Sequence, residues 1–181
     1  MELSYELRAQ RFIRDIFPFI KGCDHAYEYR HAVDAFNASR HRKVSVEHGQ
    51  TRVVLITSDY VVKIDYGTRA RYYGGCEDEL IVYNRAVEAG YDYLFAKISL
   101  YTYCGHDFYI MPRVEGIGEA EDEAYDLVTP EECDWLYENV NDLHCYNFGF
   151  INGQVTLVDY ACREDRERAS RFPSTWISTN A

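Results

Sequence analysis

The chain has 181 residues, 47% of them hydrophobic and 27% charged, with a formal net charge of −11. That length and balance predict one globular domain, or one domain with a helical extension, large enough to bury a sizeable core. The acidic surplus argues against direct binding to nucleic acid or to an anionic membrane surface.

Other classes are excluded by pattern. No apolar run approaches the ~18 residues that a membrane-spanning helix needs, and the polar, acidic start does not read as a signal peptide. The six cysteines form no C-x-x-C pair and no zinc-ligand spacing, which fits reduced thiols. A cytoplasmic protein is therefore expected.

In chain order, Leu3, Leu7, Ile13, Ile16 and Phe17 recur at helical spacing behind Ser4, a ready N-cap, and Pro18 is expected to disturb the end of that helix. A second helix over 24–38 carries Ala26, Tyr29, Ala32, Val33 and Phe36 at its apolar positions. His25, His31, His41 and His48 fall at no metal-ligand spacing and read as solvated. From Lys43 the period changes. Val44 and Val46, then 53–56, then 60–64, are β-branched runs separated by His48-Gly49-Gln50 and Thr57-Ser58-Asp59, a pattern that predicts a three-stranded antiparallel meander. Lys63 sits inside the last run, and a lysine in an apolar strand needs a partner or, on an edge, solvent.

A helix over 77–88 is closed by Gly90 at its C-cap. Cys76, Glu79, Leu80, Tyr83 and Val87 share one face, so Glu79 is the acid on the mainly apolar side, whereas Glu77 lies with Asn84 and Glu88. A buried acid requires a cation, and Lys63 is the natural one, with Glu77 as the alternative partner. Two more strands are expected at 94–100 and 107–114. The stretch 115–126, with six acids and two glycines, reads as a solvated linker. Thr129-Pro130-Glu131-Glu132 is a capping box with proline at the first helical position, opening a helix to about Val140.

That helix leads into Asn141 to Ala161. Phe148 to Ile151 and Val155 to Val158 flank Asn152-Gly153, a strong hairpin signal. The hairpin folds Asp159 back toward Asn147 and Asp142, and converging hard oxygen ligands suit Mg²⁺, which keeps several waters and binds substrate phosphates.

The run D-L-H-x-x-N-x-G from Asp142, a hairpin, and then D-Y-A from Asp159 resembles the catalytic and metal-binding loops of the protein-kinase-like superfamily, nearest its aminoglycoside-phosphotransferase and other small atypical branches. The resemblance covers roughly 43–161 and implies roles position by position. Asp142 would be the catalytic base, and Asn147 and Asp159 the Mg²⁺ ligands. Lys63 would be the third-strand lysine that binds nucleotide phosphates, locked by Glu79 on the helix. In Tyr109-Ile110-Met111-Pro112-Arg113-Val114, Met111 would guard the adenine site and Val114 would supply a hinge N–H, with Pro112 where only a carbonyl is required. Three departures stand out. Ala161 replaces the motif's glycine, no basic residue stands beside Asp142, and the turn Glu47-His48-Gly49-Gln50 has one glycine where the family has a glycine-rich phosphate loop.

The expected fold is therefore α+β, a minimal two-lobed kinase-like arrangement with an antiparallel-sheet N-lobe holding one helix and a much reduced C-lobe. Its divisions are a helical extension at 1–42, the N-lobe at 43–114, and the C-lobe with the catalytic loop and tail at 115–181. The expected function is ATP–Mg²⁺-dependent phosphoryl transfer to a protein hydroxyl. The stretch after Asp159 is too short for the family's peptide platform, so the tail residues Ser174, Thr175, Ser178 and Thr179 are candidate first acceptors. The alternative is a pseudokinase, a binding protein whose acidic surface engages and inhibits a host protein. Small kinase-like proteins of this sort occur in bacteria and their viruses, and for a viral protein the compartment would be the host cytoplasm.

Overall fold

Ser4 opens the first helix, α1 (Tyr5–Ile20), by accepting the Leu7 amide at 3.4 Å. Ala9, Phe12, Ile13, Ile16 and Ile20 recur at three- and four-residue steps and form its buried face. Pro18 lies inside this helix and does not end it before Ile20. The last turn survives the missing amide because packing holds it: Ile20 is buried, and the Phe19 and Phe36 rings meet edge-on at 5.5 Å. Helix α2 (Ala26–Arg40) begins where the Glu28 carboxylate accepts the Asp24 and His25 amides, and it ends at His41 in the left-handed conformation. The Asn37 side chain then bonds both the amide and the carbonyl of Val44, at 3.0 and 2.8 Å, and turns the chain into the sheet.

The computed structural model describes residues 4–49, 51–66, 75–116, 128–140, 143 and 147–160. The chain is α+β. Five antiparallel strands, β1 (Ser45–His48), β2 (Arg52–Ile56), β3 (Tyr60–Asp65), β4 (Ser99–Tyr103) and β5 (His106–Pro112), lie in the order β1-β2-β3-β5-β4. Helix α3 (Cys76–Ala89) comes between β3 and β4 in the chain, and α4 (Pro130–Asn139) follows β5. A separate hairpin comprises β6 (Phe148–Ile151) and β7 (Gln154–Leu157), with Asn152 and Gly153 both at positive φ in its turn. Among the described residues no helix is long and apolar enough to cross a membrane.

The β4 strand starts later than its apolar run suggests. Asp92–Leu94 form a single 3₁₀ turn, and Phe95 makes an isolated parallel bridge to Leu157. The residues at 94–96 serve the hairpin, and pairing with β5 begins only at Ser99.

Register divides the sheet into two chemically different faces, because strand side chains alternate. Val53, Leu55, Val62, Ile64, Phe108 and Ile110 pack with α1 and α2 in one apolar cluster. The opposite face carries Arg52, Val54, Lys63, Asp65, Tyr109 and Met111, through the pairs Arg52–Asp65, Val54–Lys63 and Lys63–Tyr109. This second face meets α3, α4 and the hairpin in the other cluster.

Helix α3 is pinned to β3 at its N-terminus. The Cys76 amide donates to both oxygens of Asp65, at 3.1 and 3.0 Å, and the Gly75 amide donates to the buried Asp78 carboxylate at 2.7 Å. Both acids face the positive end of the helix dipole. A methyl group on Gly75 would lie 2.5 Å from Asp65 Oδ2, so a larger residue there would force the strand-end carboxylate to shift. We expect Gly75→Ala to cost about 1–2 kcal/mol, the range of a lost helix cap, measured by urea unfolding. The extra cost should shrink in an Asp65→Ala background, because the clash partner is gone; undiminished cost there would show that the alanine acts elsewhere.

Candidate functional site

Lys63 lies at the centre of the sheet, with Val54 on one side and Tyr109 on the other. Its ammonium is buried, and such a charge persists only among acceptors. Nζ donates to Glu79 Oε1 at 2.9 Å, to Glu79 Oε2 at 2.8 Å and to the Val158 carbonyl at 2.7 Å. Glu79 is 0% exposed, one helical turn into α3, whereas Glu77 is exposed. The β3 alternation and the α3 period therefore aim Lys63 and Glu79 at one point, and the hairpin end adds the third acceptor.

A fourth charged side chain joins them. Arg52, at the start of β2, donates from Nη1 to Glu79 Oε1, and the same nitrogen lies 3.3 Å from Asp159 Oδ1. Burial pushes the guanidinium toward losing its proton, but Glu79 and Asp159 outweigh this, and its pKa rises above the usual arginine value. Burial raises the Glu79 pKa, with Lys63 and Arg52 pulling against it. Two cations thus face two carboxylates with formal charge balanced.

The hairpin delivers Asp159. The Val158 amide donates to the Asn147 carbonyl at 2.9 Å, placing the main chain of Asn147 beside the residue before Asp159. On the other side, Tyr160 is fully buried, its hydroxyl bonds the Ala96 carbonyl at 2.9 Å, and its ring meets Phe95 edge-on at 4.9 Å. Asp159 is held between these anchors with its side chain 46% exposed. Asn147 is buried. Asp142 and the tail hydroxyls lie outside the described residues.

Met111 is buried in the apolar cluster against α3 and the hairpin, and Val114 follows the end of β5 in the same cluster. The amides flanking Val114 are taken: Arg113 donates to Asp59 and Glu115 to Phe150. Among the described residues the Val114 amide has no hydrogen-bond partner. A hinge donor at Val114 is thus compatible with the local bonding.

The donor chemistry fits Mg²⁺ in kind. One carboxylate and one amide oxygen are hard ligands, and this ion completes its shell with water and substrate phosphates instead of a full protein cage. Among the described residues no three His, Cys, Asp or Glu side chains gather as a metal cluster.

Arg52 is the member that sequence reasoning missed. Arg52 precedes the run Val53-Val54-Leu55-Ile56, and alternation puts it on the face of Val54. That signal identifies a polar residue on the lysine's side of the sheet, but only the pairing of Val54 with Lys63 brings the two together.

Because Lys63 and Glu79 are both buried, removing either one strands the other. Lys63→Met should destabilise the fold by about 3–5 kcal/mol in chemical denaturation. Glu79→Gln should cost as much or more, since two cations lose their anion. A loss below ~1 kcal/mol for both would mean that the pair is solvated. The chain matches no protein-family model and is similar to no curated protein.

Proposed function

We propose that the chain is a kinase-like phosphotransferase that binds ATP–Mg²⁺ and passes the γ-phosphoryl group to a protein hydroxyl. The observation that carries this reading is the buried Lys63–Glu79 pair, spanning the third strand and the following helix and capped by the carbonyl next to Asp159. Polar ladders of this kind are costly to bury, and the resemblance of the Asp142, Asn147 and Asp159 run to kinase loops gives this one a use.

In this reading Asp142 accepts the proton of the acceptor hydroxyl as its oxygen bonds the γ-phosphorus, and the bond to the β-phosphate oxygen breaks to release ADP. Asp159 and Asn147 hold the Mg²⁺, whose chemistry is to neutralise phosphate charge. Lys63 orients the phosphates, with Glu79 keeping it charged and fixed. Val114 offers its amide to adenine, and Met111 closes the apolar wall beside it. Most of the rate in such a transfer comes from positioning and charge stabilisation.

The pseudokinase reading has its own supporting observation. An ammonium has three donors, and all three of Lys63's are engaged within the protein, while Asp159 stands against Arg52. A site whose charges satisfy one another can serve as scaffold, leaving the acidic surface to engage a host protein without catalysis.

Thermal unfolding with ATP and Mg²⁺ separates the two readings. The enzyme reading expects a higher Tm with ATP–Mg²⁺ and loss of most of that gain in Asp159→Asn. Asp142→Ala should keep most of the gain but lose about 10²–10⁴-fold in phosphotransfer, the usual range for a general base, as followed by phosphate incorporation with cell lysate. No Tm change at millimolar nucleotide, or equal incorporation by wild type and Asp142→Ala, would leave the binding protein.

A further inference from the structure

Arg52 has no role in the resemblance, yet it contacts both carboxylates of the site, Glu79 and Asp159. It is the first residue of β2, directly after the β1–β2 turn, where a kinase-like protein covers the nucleotide phosphates with backbone amides. That turn has one glycine here, Gly49. The hydrogen-bond inventory then separates the two cations. Lys63 has spent its three donors on Glu79 and the Val158 carbonyl. A guanidinium has five N–H donors, and Arg52 makes its contacts through Nη1 alone, a hydrogen bond to Glu79 and an ion pair with Asp159. Among the described residues its Nε and Nη2 have no partner. Those atoms are not sealed among the buried unsatisfied ones either. With its side chain only 12% exposed, Arg52 is a preoriented fork at the rim of the site.

We propose that Arg52 supplies this protein's directional hydrogen bonds to the phosphates, beside the charge of Lys63 and in place of the missing glycine-rich loop. This rests on the nucleotide reading above and adds to it a named contact. Electrostatics suit that contact. The Nε and Nη2 edge would take the phosphate oxygens, and Asp159 beside Nη1 would help to hold the Mg²⁺ that comes with the nucleotide, so a cation meets an anion at both positions. Glu79 keeps the guanidinium anchored throughout, and the planar fork matches two phosphate oxygens at once.

The test is calorimetric binding of ATP, ADP and AMP, each with Mg²⁺, to the full chain as wild type, Arg52→Lys and Arg52→Gln, with a melting curve of each. A lost charge-assisted bond should weaken ATP by about tenfold or more in Arg52→Gln. The loss should diminish from ATP to ADP to AMP, since fewer phosphates reach the fork. Arg52→Lys keeps a charge opposite Glu79 and should show the same order with a smaller loss; if Arg52→Gln does not fold, this variant carries the comparison. An equal loss for all three nucleotides would assign Arg52 a structural role, and unchanged affinities would remove it from the site; either overturns the proposal while leaving the nucleotide reading intact. A wild type that binds none of the three overturns both.

Discussion

An ammonium group in the middle of a β-sheet holds its charge only if the surrounding chain supplies acceptors in every direction that water would have filled. In this protein they come from two separate stretches: two oxygens of one side chain on α3 and one carbonyl at the end of the hairpin. Strand, helix and hairpin must therefore meet within hydrogen-bond reach of one atom, which is a stricter requirement than apolar packing imposes. Arg52 extends the constraint to β2 by bridging Glu79 and Asp159. The Asp65 contact to the start of α3 sets how far along β3 the helix begins, and so which of its acids can reach the lysine.

The two faces of the sheet divide the labour. The α1–α2 side holds Phe12, Phe36, Val62 and Ile110 in an apolar interface, and its polar contacts lie at the periphery, as in Arg8 with Asp59 and Lys97 with Glu6. The opposite side gathers Arg52, Lys63, Glu79 and Asp159 into one patch. Apolar burial on the first face can carry stability, which lets the second retain polar groups that are poor stabilisers by themselves. This is the distribution expected of a fold that supports a site, whether the occupant is a nucleotide or a partner protein.

Lys63 with Glu79 was legible in the sequence because two periods agreed: alternation isolated a lysine in an apolar strand, and the helical repeat singled out the acid on the apolar face. The hairpin was legible from Asn152-Gly153, a local signal. Arg52 was not, since its place depends on which residue of β3 lies opposite which residue of β2, and alternation leaves that register open. The β4 start failed for a related reason. Leu94, Phe95 and Ala96 have strand-like composition, but tertiary contact with Leu157 and Tyr160 decided their conformation. Pro18 misled because a proline near a helix end is judged by the bond it removes, while the packing of Phe19 and Ile20 is invisible in the local pattern.

The Val158 carbonyl has a consequence for how the molecule assembles during synthesis. Lys63 and Glu79 are 16 residues apart, but Lys63 and Val158 are 95 apart. On a ribosome the first two acceptors reach the lysine early, while the third emerges only after β4, β5 and α4 have been made. In that interval β3 also waits for β5, its neighbour in the sheet, so a nascent chain presents an unpaired strand edge with a partly solvated cation on it. Such an edge invites intermolecular pairing, and a charge there is a natural deterrent. The last of the three bonds to Lys63 is thus the one that ties the end of the hairpin to a strand made almost a hundred residues before it.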